Sequence, residues 1–178
     1  IDMTRIDWVE NGAPRSALWR SESGWPAPKK VVIADDTMTA DAAYRLALDG
    51  TALLWRGDFQ NARQLLQALA RRIDHKGSRA KRAKTKVAPT LLESFHRHRL
   101  AQLQRARTLA MLLIPFEADY TIPLRRAPDV RQACNEAYGA ATEPFVVSLR
   151  ELLGLIGAHE WRSKGVPIAA LDDRIHPW

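Results

Sequence analysis

Apolar residues recur at intervals of three and four along much of the chain, which is the spacing of one helix face. The first clear stretch follows Thr39 and ends at Gly50, a residue that suits the C-terminal end of a helix. A second short helix or turn is predicted over 51–56. The apolar stripe of the first helix consists of Ala42, Ala43, Leu46 and Ala47.

A longer helix is predicted from Phe59 to about Ile73, with Asp58 as its N-cap. The short connection between this helix and the preceding ones favours an antiparallel arrangement. Its apolar positions are Phe59, Ala62, Leu65, Leu66, Leu69 and Ile73.

Another helix is predicted after Thr90, because Thr90 and Glu93 have the form of a capping box. This helix is expected to run to Ile114, where Pro115 stops it. One face of the helix carries Leu92, Phe95, Leu103, Ala106, Leu109, Ala110 and Leu113.

Two further helices are predicted near the C-terminus. Pro128 suits the first turn of a helix that continues to about Tyr138, with Gly139 as its stop. Ser148 and Glu151 form a second capping box, and the helix that they begin is expected to end before residue 165. The buried positions of this last helix are expected to be Leu149, Leu152, Leu153, Ile156 and Trp161.

These elements predict a mainly α fold, a compact bundle of about six helices. Residues 1–36 are expected to form an irregular arm, residues 37–165 the helical domain, and residues 166–178 a linker toward a possible catalytic domain. The arm contains Trp8, Trp19 and Trp25, which either pin it to the domain or stack on nucleic-acid bases.

Charge is strongly segregated in this chain of 178 residues, whose formal net charge is +7. Residues 71–107 contain 12 lysines and arginines against two carboxylates, a net charge of +10, so the remainder carries −3. Residues 74–88 also lack aliphatic periodicity, so they are predicted to form a mobile basic loop. Three interpretations stay open for this region: phosphate binding, a solvated surface, and an acidic protein partner.

The candidate nucleic-acid or anion contacts fall into two groups. Arg79, Lys81, Arg82, Lys84 and Lys86 belong to the predicted loop, and Arg97, Arg105 and Arg107 belong to the helix that follows. No motif that reads bases is visible, so such contacts would position a nucleic acid without recognising its sequence.

Residues that could carry catalysis or bind a metal form no recognisable site. His96 and His98 are two residues apart, whereas a helical metal pair is normally four apart. The adjacent Asp35 and Asp36 are expected to act in a turn or cap, and Cys134 as a small buried apolar residue. No catalytic, cofactor-binding or metal-binding residue is therefore predicted, and a single cysteine without a signal peptide favours the cytoplasm.

Three stretches resemble the N-terminal region of a family of bacterial class I S-adenosylmethionine-dependent methyltransferases: 50–66, 144–154 and 174–177. In that family such a helical region precedes a Rossmann-like methyltransferase domain. The family's glycine-rich cofactor loop and the acidic residue that follows it are absent here. The resemblance implies an accessory domain, with S-adenosylmethionine bound elsewhere in a longer protein and with a nucleic acid or a translation-related protein as methyl acceptor.

Three hypotheses about function follow. The first is an accessory domain that presents a substrate to a C-terminal methyltransferase domain, with the basic residues contacting an anionic substrate. The second is a stand-alone nucleic-acid-binding module, and the third is a bundle that docks a protein partner through its apolar faces and tryptophans. No membrane segment is expected, because no stretch approaches the ~20 apolar residues needed to span a bilayer.

Overall fold

The computed structural model describes most of the chain as one mixed sheet with helices. Of residues 79–83, 166–168 and 173–175 it describes the backbone alone. The described residues are 4–83, 90–140, 143–168 and 173–175.

Eight strands and five helices are present in the described residues. The strands are β1 (Arg5–Glu10), β2 (Ala13–Trp19), β3 (Lys30–Ala34), β4 (Thr51–Trp55), β5 (Leu112–Phe116), β6 (Phe145–Ser148), β7 (Val166–Ile168) and β8 (Asp173–Ile175). The helices are α1 (Ala40–Leu48), α2 (Phe59–Ala83), α3 (Leu91–Leu109), α4 (Arg131–Tyr138) and α5 (Leu149–Lys164).

Six strands form the main sheet in the order β1-β2-β6-β5-β4-β3. The sheet is mixed: β3, β4 and β5 run parallel, β6 is antiparallel to β5, and β2 pairs parallel with β6. An antiparallel hairpin of β1 and β2 forms one edge. The two edge strands β1 and β3 approach each other, so the sheet curls into a nearly closed barrel.

Alternating side chains of the central strands divide between two apolar clusters. In β4, Ala52 and Leu54 point to the inner cluster, whereas Leu53 and Trp55 point to the larger cluster beneath the helices. All five residues of β4 and all five of β5 are buried. Strands covered on both faces have such continuous apolar sequences, and these strands form the centre of the core.

The prediction of a mainly α bundle of six helices is wrong, because the fold is α/β with a six-stranded sheet. Residues 51–55 of the segment 51–56, predicted as a helix or turn, form strand β4, and the helix expected to reach Ile114 ends at Leu109 before β5 begins. A run of four or five apolar residues fits a buried strand as well as a helix face. The pairing between neighbouring strands decides the matter here.

The N-terminal segment 1–36 is not an irregular arm where it is described, because it contains β1, β2 and β3. Its hairpin turn uses Asn11 and Gly12, both with positive φ of 52° and 76°. This is the geometry that lets a two-residue turn match the twist of the strands. Trp19 donates a hydrogen bond from its indole nitrogen to the Trp25 carbonyl (2.7 Å), and Trp8 and Trp19 pack against the inner apolar cluster.

The prediction of a basic loop over 74–88 is also wrong in its first part, since α2 continues through residues 74–83. Alanine, lysine and arginine are good helix formers, and the buried first half of α2 already supplies the nucleus from which a helix extends cheaply. Residues 84–88 lie outside the described residues.

Trp161, expected to be buried in α5, is 62% exposed.

Several predictions about helix ends agree with the structure. Thr90 and Glu93 form the expected capping box, and Gly139 follows the end of α4. Ser148 accepts from the Glu151 amide, but the Glu151 carboxylate instead accepts from Ser21 Oγ and from the amides of residues 22 and 23. Glu151 therefore ties α5 to the segment after β2.

Nowhere in the described ranges is a helix both long and apolar enough to cross a membrane.

Candidate nucleic-acid interface

Helices α2 and α3 form a hairpin whose outer part stands clear of the sheet. The two helices have 25 and 19 residues, or about 37 and 28 Å at 1.5 Å per residue. Every described side chain from Asp74 to Gln104 is exposed. We call this part, residues 74–83 and 90–104, the outer hairpin.

The base of α2 is fixed to the sheet by its sequence. Asp58 accepts from the Gln60 amide at 2.8 Å, as the sequence predicted for an N-cap, and the Trp55 indole donates to the Asp58 carbonyl at 3.0 Å. The next three turns bury apolar side chains against the sheet, and that burial ends near Ile73. The buried side chains are Phe59, Ala62, Leu65, Leu66 and Leu69.

Helix α3 is joined to α2 by a bidentate ion pair. Arg105 Nε donates to Asp74 Oδ1 at 2.8 Å, and Arg105 Nη2 donates to Asp74 Oδ2 at 3.1 Å. These hydrogen bonds lower the pKa of Asp74 and raise that of Arg105. Below Arg105, Thr108 and Leu109 are buried, so α3 is anchored at its C-terminal end.

The predicted contact residues do not share one situation. Arg97 and Arg107 are exposed, and no described carboxylate pairs with them. Arg105 is instead engaged with Asp74. Arg79, Lys81 and Arg82 lie in the last turns of α2, where only the backbone is described, and Lys84 and Lys86 lie outside the described residues.

Two cations of α2 are directed toward the body of the fold. Arg72 pairs with Asp41 of α1 at 2.9 Å, and the Lys76 ammonium lies 4.3 Å from the centroid of the Tyr44 ring. Arg99, which is not among the predicted contacts, is exposed on α3 beside Arg97. Its signal was present in the sequence, because it belongs to the same basic segment.

A second polar cluster lies at the carboxyl ends of β3 and β4. Asp36 Oδ1 accepts from the Asp58 amide at 2.9 Å and from the Asn61 amide nitrogen at 3.0 Å. Arg125 and Arg126 then pair with Asp36 (3.2 Å) and Asp58 (2.6 Å), respectively. The carboxyl edge of parallel strands is a common place for ligands, but here each carboxylate already has donors from the chain itself.

Those donors hold both carboxylates in the charged form. The Asn61 and backbone hydrogen bonds lower the pKa of Asp36, and the Arg126 hydrogen bond lowers the pKa of Asp58. Asp35 accepts from both the amide and the hydroxyl of Thr37, which agrees with the predicted turn role. The cluster therefore holds the ends of β3 and β4 together.

Gly57 makes this close approach possible. A Cβ at Gly57 would overlap the Asp36 carboxylate and would lie 2.8 Å from the Asp36 backbone nitrogen. Any larger residue would therefore push the ends of β3 and β4 apart.

The remaining candidates for chemistry are structural or isolated. Cys134 is fully buried, and desolvation raises the pKa of its thiol to about 11, so it is unreactive near neutral pH. His159 Nδ1 lies 2.9 Å from Glu136 Oε2 as an exposed pair. Across the described ranges, no three His, Cys, Asp or Glu residues converge in a way that could bind a metal.

Comparison of the chain with family models, with curated proteins and with solved structures found no match in any of the three.

Proposed function

We propose that this chain is an accessory domain that binds the phosphate backbone of a nucleic acid through the α2–α3 hairpin. The observation that carries the proposal is the position of the charge. A segment of net charge +10 occupies a hairpin whose described side chains from Asp74 to Gln104 are all exposed. The body that supports it carries the opposite sign, −3.

Exposed cations on a projecting element suit phosphate contact better than base reading. Each lysine or arginine that meets a phosphate releases a condensed counterion, so affinity grows with the number of contacts and falls steeply with salt. Arg97 and Arg107 have no described carboxylate partner that would compete with a phosphate. Arg105 has a different role in this proposal, because its pair with Asp74 holds α3 in place.

The domain is proposed to serve a methyltransferase, and this part rests on the resemblance of 50–66, 144–154 and 174–177 to the N-terminal region of that family. In this view a C-terminal domain binds S-adenosylmethionine, and the hairpin orients a nucleic acid or a translation-related substrate in the cytoplasm. The alternative is a stand-alone nucleic-acid-binding module. The α/β body serves either role, because it fixes the base of the hairpin.

The first experiment measures binding of 20-nucleotide RNA and 20-base-pair DNA probes by fluorescence anisotropy at several salt concentrations. The variant carries Lys81→Gln, Arg82→Gln, Lys84→Gln and Lys86→Gln. Loss of four phosphate contacts is expected to reduce the slope of log K against log[salt] by roughly 3 to 4 for the duplex. Affinity at low salt should fall by at least about tenfold.

The matched control removes four exposed cations from the body: Arg15→Gln, Lys29→Gln, Arg45→Gln and Arg150→Gln. This control lowers the net charge equally, so it separates a specific surface from a general effect of charge. Binding should change by less than about twofold. Equal losses in the two variants, or no loss in the hairpin variant, would refute the proposed interface.

Calorimetry with S-adenosylmethionine separates the two roles. The accessory-domain role predicts that this chain alone does not bind the methyl donor and that its longest natural form does. Binding by neither form would end the methyltransferase proposal and favour the stand-alone module.

A further inference from the structure

Helix α3 exposes large apolar side chains in two adjacent rows. Residues four apart lie on one helix face, which places Leu91, Phe95, Arg99, Leu103 and Arg107 in one row and Leu92, His96 and Leu100 in the next. The exposed fractions are 90% for Leu91, 66% for Leu92, 59% for Phe95, 65% for Leu100 and 54% for Leu103. We call these two rows the α3 face.

Single exposed leucines are ordinary, but a continuous group on one helix is not. Contiguous apolar surface of this kind marks a place where another molecule binds. Phosphate contacts do not account for it, because leucine and phenylalanine gain nothing against a charged backbone. We therefore expect the α3 face to bind an apolar surface of another molecule, in addition to any anion bound by the hairpin.

The charges within the face define that occupant. Arg99 lies one turn from both Phe95 and Leu103, so a cation stands in the middle of the apolar row. Glu93 is the one carboxylate in the sequence of α3, and its side chain accepts from the Thr90 amide at 3.0 Å. Arg99 and Arg107 thus have no carboxylate partner in the described parts of the chain.

We propose that the α3 face docks an acidic amphipathic helix of a separate protein. The partner helix would place leucine-like residues against Phe95 and Leu103 and carboxylates against Arg99 and Arg107. Arg99 and Arg107 are two turns apart, about 12 Å along the axis, so the partner's carboxylates would be about eight residues apart. Burial of the apolar rows would supply affinity, and the ion pairs of the partner's carboxylates with Arg99 and Arg107 would set the register.

Other occupants fit the same face less well. A second copy in an antiparallel pair would place Arg99 against Arg99 at its centre, where like charges repel. A lipid surface prefers helices whose cations flank the apolar face, whereas Arg99 interrupts it. Both remain measurable outcomes of the test below.

The test uses a stapled helical peptide of about 20 residues with leucine at one-turn spacing and glutamate positioned to meet Arg99 and Arg107. A second peptide has the same composition in scrambled order, and a third has lysine in place of glutamate. Binding is measured by fluorescence anisotropy with the whole chain. The glutamate peptide should bind at least about tenfold more tightly than either control peptide.

Variants of the chain locate the binding surface. Phe95→Ser with Leu103→Ser should weaken the glutamate peptide by at least about tenfold. Leu48→Ser with Val9→Ser changes two exposed apolar residues of the body (50% and 65% exposed) and should leave binding within about twofold. Arg99→Glu with Arg107→Glu should reverse the preference, so that the lysine peptide binds more tightly than the glutamate peptide. Circular dichroism confirms that each variant is folded.

Three results would overturn the proposal. The first is no saturable binding of the glutamate peptide, or binding that none of the α3 variants changes. The second is binding to anionic phosphatidylglycerol vesicles that Phe95→Ser with Leu103→Ser abolishes, which would assign the face to a lipid surface. The third is a dimer in sedimentation analysis that the same variant dissociates, which would assign it to a second copy. RNA binding should be unaffected by Phe95→Ser with Leu103→Ser, so this inference and the proposed phosphate interface can fail separately.

Discussion

The sheet-supported body and the outer hairpin obtain their order in different ways. Strands β4 and β5 are buried at every residue and gain stability from apolar contacts on both faces. The outer hairpin buries no described side chain between Asp74 and Gln104, and its order comes from helix propensity, the Thr90 capping box, the Arg105–Asp74 pair and the contact of Lys76 with the Tyr44 ring.

The body therefore supplies the stability of the fold, and the outer hairpin supplies a surface for binding. Few substitutions of the buried apolar residues in the body can be tolerated. The outer hairpin can carry many cations and exposed leucines, because the fold does not depend on them. Elements with few buried contacts are also common places for partners to bind, because a change in them disturbs the rest of the fold little. Substitutions of the same type in the two regions should therefore have very different effects.

The largest difference is expected between two leucine truncations. Leu112→Ala removes a side chain with no solvent exposure and should lower the free energy of unfolding by about 2–5 kcal/mol. Leu92→Ala truncates a side chain that is 66% exposed and should change it by less than about 0.5 kcal/mol. Urea denaturation of both variants checks this. Equal losses would mean that the outer hairpin is part of the cooperative core.

A glycine pair should give the next largest contrast. Gly57→Ala forces a Cβ against Asp36 and is expected to destabilise the protein by about 1–3 kcal/mol. Gly77→Ala, in α2, meets nothing within 4 Å and should stabilise it by about 0.5–1 kcal/mol, because alanine favours a helix. Thermal unfolding should show the two melting temperatures moving in opposite directions. A stable Gly57→Ala variant would contradict the tight approach of β3 and β4.

Acid sensitivity should arise more from the body than from the hairpin. The pKa of Asp58 is lowered in the folded state, so its stabilising contribution is complete above the ordinary aspartate pKa near 4 and is lost as the pH falls through the folded value. Asp58→Asn keeps the shape and the cap but removes the charge, so the decline of unfolding free energy below about pH 5 should become shallower. Asp74→Asn should alter this decline less, because Asp74 is 58% exposed. Urea denaturation between about pH 2 and pH 7 tests the order of these two variants, and a larger effect from Asp74 would reverse it.

The smallest effect is expected from loss of the hairpin's ion pair. Arg105→Gln should cost less than about 1 kcal/mol in global stability, because the pair is partly exposed. Hydrogen exchange in α3 should nevertheless accelerate by about two- to fivefold, with exchange in β4 and β5 unchanged. Arg97→Gln is the control, since no described carboxylate pairs with Arg97. The same acceleration in both variants would show that Arg105 does not anchor α3.

The sequence predicted the helix ends better than the sheet. Side chains that cap a helix act on amides two or three residues away, so Asp58 and Thr90 could be identified without any tertiary information. Strands β3, β4 and β5 are short apolar runs whose identity depends on partners far along the chain. Their continuous apolar character, with β-branched Val31, Val32 and Ile33 in β3, was the available signal.

The candidate interface was predictable in its charge but not in its shape. The excess of cations in 71–107 can be counted from the sequence, whereas the engagement of Arg105 with Asp74 depends on how two helices pack. The exposure of Leu92, Phe95 and Leu103 was also hidden, because helical spacing shows a shared face and not what covers it. The Asp36–Gly57 contact joins two strand ends and left no local pattern in the sequence.

The division of the molecule into a supporting body and a binding hairpin is tested most directly by hydrogen exchange with and without a 20-nucleotide RNA. The proposed interface predicts that RNA slows exchange in the outer turns of α2 and in α3, while β3, β4, β5 and α5 are unchanged. At an RNA concentration near the Kd of the unaltered chain, the variant with Lys81, Arg82, Lys84 and Lys86 replaced by glutamine should show much less slowing. Protection confined to the body, or protection of the hairpin that these substitutions leave unchanged, would contradict the proposed division into a supporting body and a binding hairpin.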